Sequence, residues 1–150
     1  MPREILKGDR VVADRWVFSS NDLLSTDSTG PLALPLDQWI EAHKPTHQGI
    51  KPTGVILKNT DSLEALLPEL DQLQLICLEF PEATDGRGYS QASLLRNRHG
   101  YTNELRATGE VLVDQLFLLR RCGFDSFDLK AGQKITCPSN YLVPFSVTYQ

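Results

Sequence analysis

Between Val55 and Leu129, short apolar runs alternate with segments whose apolar residues recur every three or four positions, and this alternation constrains the fold more than any other feature. Val55-Ile56-Leu57 and Leu75-Ile76-Cys77-Leu78-Glu79-Phe80 read as strands, followed by shorter ones at Glu104-Leu105-Arg106-Ala107 and Ser126-Phe127-Asp128-Leu129. A helix with Leu63, Leu66, Leu67, Leu70 and Leu73 on one face separates the first two strands. A second helix is expected over Ser90–Arg98 and a third over Val111–Cys122, with Gly123 where a left-handed residue closes a helix. Parallel strands need crossovers, and crossovers cover the faces of the sheet. The expected fold class is therefore α/β: a four-stranded, mostly parallel βαβαβαβ sheet or half-barrel with helices packed on it. Four strands fall short of a closed eight-stranded barrel.

Residues 1–43 read as a β-rich lead-in. Ile5-Leu6, a turn at Lys7-Gly8-Asp9-Arg10 and the strand formers from Val11 to Phe18 suggest a small hairpin. Ser19 to Pro31 has the composition of an exposed loop, and Leu32-Ala33-Leu34 suggests one more short strand. Pro35 suits the start of a helix carrying Leu36, Trp39 and Ile40, which should stop near His43 because Pro45 disfavours helical geometry before it. Lys44 to Gly54 reads as a connector, 55–129 as the βα core, and 130–150 as a tail with an edge strand around Pro144. At 150 residues, 1–150 is expected to be a single domain.

A net charge of −4 gives no general attraction to nucleic acid or anionic lipid. The N-terminus lacks the apolar stretch of a secretory signal, and no segment approaches the roughly 20 apolar residues of a membrane span, so the cytoplasm is the expected compartment. Cys77, Cys122 and Cys137 form no Cys-x-x-Cys pair; the first two read as small core residues and the third as exposed. His43 and His47 have helical metal-pair spacing, but Pro45 between them breaks the helix, and no metal site is expected. The third helix is apolar around much of its girth, which places it centrally or at a subunit contact of a homo-oligomer.

Ligands of parallel α/β sheets bind at the carboxyl ends of the strands, where this chain sets Glu79, then Asp85-Gly86-Arg87-Gly88-Tyr89-Ser90, and later Arg106, Thr108 and Glu110. The glycines let a backbone approach a ligand, a helix start favours an anion, and Arg87 suits a bidentate oxyanion contact. The same six residues also suit a tight turn, with Ser90 as helix cap and Asp85 paired to Arg87. Glu110 fits either an acid–base role or the first turn of a helix; Asp114 and Gln115 follow one turn later.

The segments Phe80 to Ser90, Leu94-Leu95-Arg96, Gly100-Tyr101, Glu104 to Ala107, Gly109 to Leu112, Asp114 to Leu116 and Arg121 to Phe127 closely resemble a bacterial family, domain of unknown function 934. The likeness extends to the Phe145–Gln150 ending. That family is often labelled as a candidate oxidoreductase of sulfite reduction, because its genes lie beside those of sulfite reductase and phosphoadenylyl-sulfate reductase. The resemblance implies one functional or interaction surface formed by Asp85, Gly86, Arg87, Gly88, Tyr89, Arg106, Glu110, Asp114 and Gln115. Three expectations follow. The chain is an accessory protein of sulfate and sulfite assimilation that binds a small oxyanion or a sulfite reductase partner through the Asp85–Ser90 and Arg106–Glu110 rim. Or it is an enzyme for a small anionic substrate, with Glu79, Asp85 or Glu110 as acid or base. Or it is an oxidoreductase with an unrecognised cofactor, although the sequence holds no complete dinucleotide motif, thiol pair or haem ligand set.

Overall fold

A computed structural model describes residues 4–8, 10–18, 31–45, 52–82 and 86–130. Asp85, His47, Cys137, most of the polar loop after Phe18 and the expected edge strand near Pro144 lie outside the described residues. The strands are β1 (Glu4–Lys7), β2 (Arg10–Ala13), β3 (Ala33–Pro35), β4 (Gly54–Leu57), β5 (Leu75–Phe80), β6 (Glu104–Gly109) and β7 (Ser126–Phe127). They form one seven-stranded sheet in the order β2-β1-β7-β6-β5-β4-β3. From β3 to β7 every neighbouring pair is parallel, and the hairpin β1–β2 docks antiparallel on β7 through Leu6↔Phe127 and Lys7↔Ser126.

The expected four strands are thus too few. The lead-in strand at Leu32–Leu34 pairs with β4 by way of helix α1 (Leu36–Ala42), and the hairpin caps the far edge. The connector rich in Pro and Gly hides this pairing, because register between distant segments leaves no local mark in the sequence.

Strands β3 to β7 follow one another across the sheet in chain order. Right-handed crossovers then all fall on one face. One core cluster agrees: it joins Trp39 of α1, Leu66 and Leu70, Ala92 and Leu95, and Leu116 and Leu119 to Val55, Leu57, Ile76, Leu78, Leu105, Ala107 and Phe127 of the strands. Phe80 joins this cluster too, while Ile56, Leu75, Cys77, Glu79, Arg106, Thr108 and Ser126 face the other way.

The helices differ from expectation in detail. Glu64–Gln72 is a 3₁₀ helix, with Pro68, which offers no N–H, inside it. Leu66, Leu70 and Leu73 are buried while Leu67 is exposed. Helix α2 starts at Gly86, not at Ser90, spans Gly86–Ser93 and continues as a π turn over Leu94–Arg98. Ser90 is therefore interior to the helix and does not cap it. The third helix begins late: Val111 donates to the Gly109 carbonyl and accepts from Lys130 N–H, which commits its backbone elsewhere. A 3₁₀ turn at Val113–Gln115 leads into α3 (Leu116–Arg121), on which Leu116 and Leu119 are buried and Leu118 is exposed. Gly123, at φ +110°, closes α3 as expected.

Among the described residues, no helix is long and apolar enough to cross a membrane.

Candidate functional site

The face of the sheet away from the helices carries three rows of side chains, fixed by register. Ala33, Gly54, Leu75 and Glu104 form the first, and Ile56, Cys77, Arg106 and Ser126 the second. Glu79 and Thr108 form the third at the carboxyl ends of β5 and β6, joined by Asp128, whose Oδ2 accepts from Thr108 Oγ1 at 3.3 Å. The segment after β2 crosses this face: Trp16 packs with Ala33, Leu75 and Cys77, and Phe18 joins the same cluster.

Arg106 lies mid-strand in the second row and is 1% exposed. Its Nη1 donates to Asp14 Oδ2 at 3.1 Å, its Nη2 to Glu104 Oε2 at 2.9 Å, and its Nε to Ser126 Oγ at 3.3 Å. Ser126 Oγ in turn donates to Glu104 Oε2, and Lys7 Nζ sits 3.2 Å from Glu104 Oε1. Burial alone would raise the Glu104 pKa, but hydrogen bonds from Ser126, Arg106 and Lys7 outweigh it and hold the carboxyl below its usual range. For Arg106, burial works against the charge, yet the neighbouring acidic groups keep its pKa raised. The guanidinium is satisfied within the protein and does not form a rim with Arg87, contrary to expectation. Its strand alternates polar and apolar residues, which turns Arg106 toward the helix-free face.

A cavity of about 180 Å³ adjoins this cluster, bounded by Phe18, Cys77, Glu79, Arg106, Thr108 and Asp128. Burial pushes the Cys77 thiol up to about 12, against a smaller opposing effect of Arg106, so it is a neutral S–H near neutral pH.

On the helical side, a groove of about 890 Å³ runs between the 3₁₀ helix and α2. Gly86, Arg87 and Ser90 line it together with Arg98 and His99, and Asp61 and Glu64 lie on the opposing wall. Gln91 is buried beside it: its Nε2 donates to the carbonyls of Lys58 and Asp61 at 3.2 Å each, while its Oε1 is a buried acceptor with no partner among the described residues.

Gly88 has a different role. A Cβ there would lie 2.5 Å from Phe80 Cε1, so this glycine serves close packing of α2 on β5 and not approach to a ligand. Tyr89 stacks edge-on against Phe80 and donates its hydroxyl to Gln115 Oε1 at 2.6 Å, which ties α2 to the turn before α3. Glu110 pairs with Lys130 at 2.7 Å, outside any helix, and Asp114 is exposed. The expected site residues therefore occupy three places: Gly86, Arg87 and Ser90 the groove, Glu79 and Arg106 the helix-free face, and Tyr89 of α2 with Gln115 and Glu110 the segment that follows β6 and the helix packed on it.

The family described as a bacterial protein of unknown function (DUF934) matches residues 54–150. The chain belongs to this family. No curated protein and no solved structure matches it. The DUF934 match spans β4 to β7, both cavities' strand and helix walls, and the tail beyond Lys130.

Sequence reading missed several residues of this DUF934 chain that organise the sites: Asp14, Glu104, Ser126, Asp128 and Gln91. One signal was available. Glu104, Arg106 and Thr108 alternate with Leu105, Ala107 and Gly109, and a period of two marks a strand with one polar face.

Proposed function

We propose that this chain is an accessory protein of assimilatory sulfate and sulfite reduction, acting in the cytoplasm, which binds a small oxyanion, or the anionic face of a reductase partner, in the Arg87 groove. The observation that carries this reading is the meeting of Gly86, Arg87 and Ser90 with Arg98 and His99 along one groove. An arginine fork suits two oxygens of one oxyanion, and a serine hydroxyl beside it adds a donor. The link to sulfur chemistry comes from the family resemblance and from nothing in the groove itself. Relative to the expectation from sequence, the site loses Arg106, whose charge is spent on Asp14 and Glu104.

Calorimetric titration of the chain with sulfite, sulfate and adenylyl sulfate tests the reading. Saturable heat for one of them, weakened in Arg87→Ala and partly retained in Arg87→Lys, is expected. Absence of heat with every oxyanion, together with failure to co-purify with sulfite reductase from a sulfate-limited culture, would remove it.

A further inference from the structure

The groove between the 3₁₀ helix and α2, at about 890 Å³, is sized for a whole organic ligand and far exceeds an inorganic oxyanion. Its helical wall carries Gln91, Leu94 and Arg98, three or four residues apart and so on one face. The side chains of Arg98 and the neighbouring His99 make no hydrogen bond or ion pair among the described residues. The full charge of Arg98 exceeds the roughly half-charge of the helix end beside it, so an anion is drawn to this pole. Asp61 and Glu64 repel it from the facing wall. Gln91 stands two turns back along the helix, roughly 10 Å from Arg98. It is 8% exposed, and its Nε2 is held by the carbonyls of Lys58 and Asp61, so the amide cannot flip without losing both. Its Oε1 is left as a buried acceptor without a donor among the described residues, a costly state that a donor on a ligand relieves. Leu94 lies between the two poles, Leu63 and Leu67 line the facing wall, and Leu67 and Leu94 are 36% and 41% exposed.

We propose, resting on the oxyanion reading of this groove, that its ligand is a phosphate or sulfate ester of an amino-bearing aromatic base, a nucleotide of the AMP kind. The anion sits on Arg98 and His99, the flat ring between Leu94 and the leucines opposite, and the ring's amino group donates to Gln91 Oε1. An inorganic anion reaches only the first of these three places. A base without an amino group leaves the amide oxygen unpaired, and a site built to hydrogen-bond a group rejects the analogue that lacks it. Gln91 is then the residue that sets specificity, while the cations supply the attraction common to all oxyanions.

Four ligands separate the alternatives: AMP, purine riboside 5′-monophosphate, which lacks only the amino group, ribose 5-phosphate and inorganic sulfate, titrated calorimetrically at about 0.15 M ionic strength to screen surface attraction. AMP is expected to bind saturably, about tenfold or more tighter than purine riboside 5′-monophosphate, with ribose 5-phosphate and sulfate weaker still. Arg98→Ala should weaken all four, whereas Gln91→Met should abolish the preference for AMP over its deamino analogue. In wild-type protein, which removes any question of variant folding, AMP should shift the backbone amide resonances of Gln91, Leu94, Arg98 and His99. Sulfate binding as tightly as AMP, or equal binding of AMP and purine riboside 5′-monophosphate, overturns this proposal and leaves the oxyanion reading standing. Resonance shifts outside the groove overturn it as well, and no binding of any of the four removes both.

Discussion

The guanidinium of Arg106 and the carboxylate of Asp14, 92 residues apart in the chain, meet at 3.1 Å with only 2% and 1% of their side chains exposed. This pair joins the segment leaving the hairpin to the middle of β6. The same guanidinium reaches Glu104 and Ser126, so one cation satisfies groups brought by β2's exit, β6 and β7.

Replacing Arg106 by Met leaves Asp14 and Glu104 buried without their shared cation. Removing one side of a buried pair typically costs about 3–5 kcal/mol, and a loss of that order is expected in urea unfolding of Arg106→Met. A change below about 1 kcal/mol, the scale of a surface ion pair, would show that the network contributes little to stability.

Acid should expose Glu104. Its folded pKa lies below the ordinary value because hydrogen bonds to Ser126, Arg106 and Lys7 outweigh the opposing effect of burial. The stabilisation is therefore complete above the unfolded value and is lost as pH falls through the folded one. Asp125 works the other way: burial raises its pKa despite the Arg96 ion pair, so its contribution favours the folded chain as pH falls through the raised value. Urea unfolding followed through the acid range should show a shallower loss of stability with falling pH in Glu104→Gln and a steeper one in Asp125→Asn.

Gly88→Ala drives a methyl group into the Phe80 ring, 2.5 Å from Cε1. Overpacking of this kind costs about 1–3 kcal/mol, and α2 should shift away from β5. A lowered thermal midpoint with an altered near-ultraviolet circular dichroism signal from Tyr89 is expected; Gly86→Ala, where a Cβ meets nothing within 4 Å, should be much milder.

Cys77 should resist alkylation in the native protein. Its thiol is buried and pushed up to about 12, while Cys122 is only half-buried, with a pKa raised by burial and opposed by Arg121. Iodoacetamide labelling resolved by peptide mass should modify Cys122 before Cys77, and Cys77 only under conditions that open the sheet. Equal labelling of the two at neutral pH would contradict the placement of Cys77.

Much of the strand-and-helix order was legible because it is written locally. Val55-Ile56-Leu57 and Leu75 to Phe80 are apolar enough to be strands in any context, and Gly123 ends a helix wherever one arrives. The helix over Leu63–Leu73 was legible as a helical period but not as a 3₁₀ helix with Pro68 inside it. The segment Asp85–Ser90 was less transparent: two glycines before a helix suit a ligand loop, yet Gly88 is set by the Phe80 ring and Gly86 opens the helix itself.

What the sequence alone determined was the α/β class, the parallel core strands and the family, each carried by residues close together in the chain. Which distant residues share a site was decided only by tertiary structure. The register of β5, β6 and β7 aligns Glu79 with Thr108 and Arg106 with Ser126, and the crossing of the N-terminal segment brings Asp14 under the guanidinium. Alternation along a strand tells that Arg106 and Leu105 face opposite ways. It does not tell which face the helices cover, because that depends on the direction in which the whole sheet is wound.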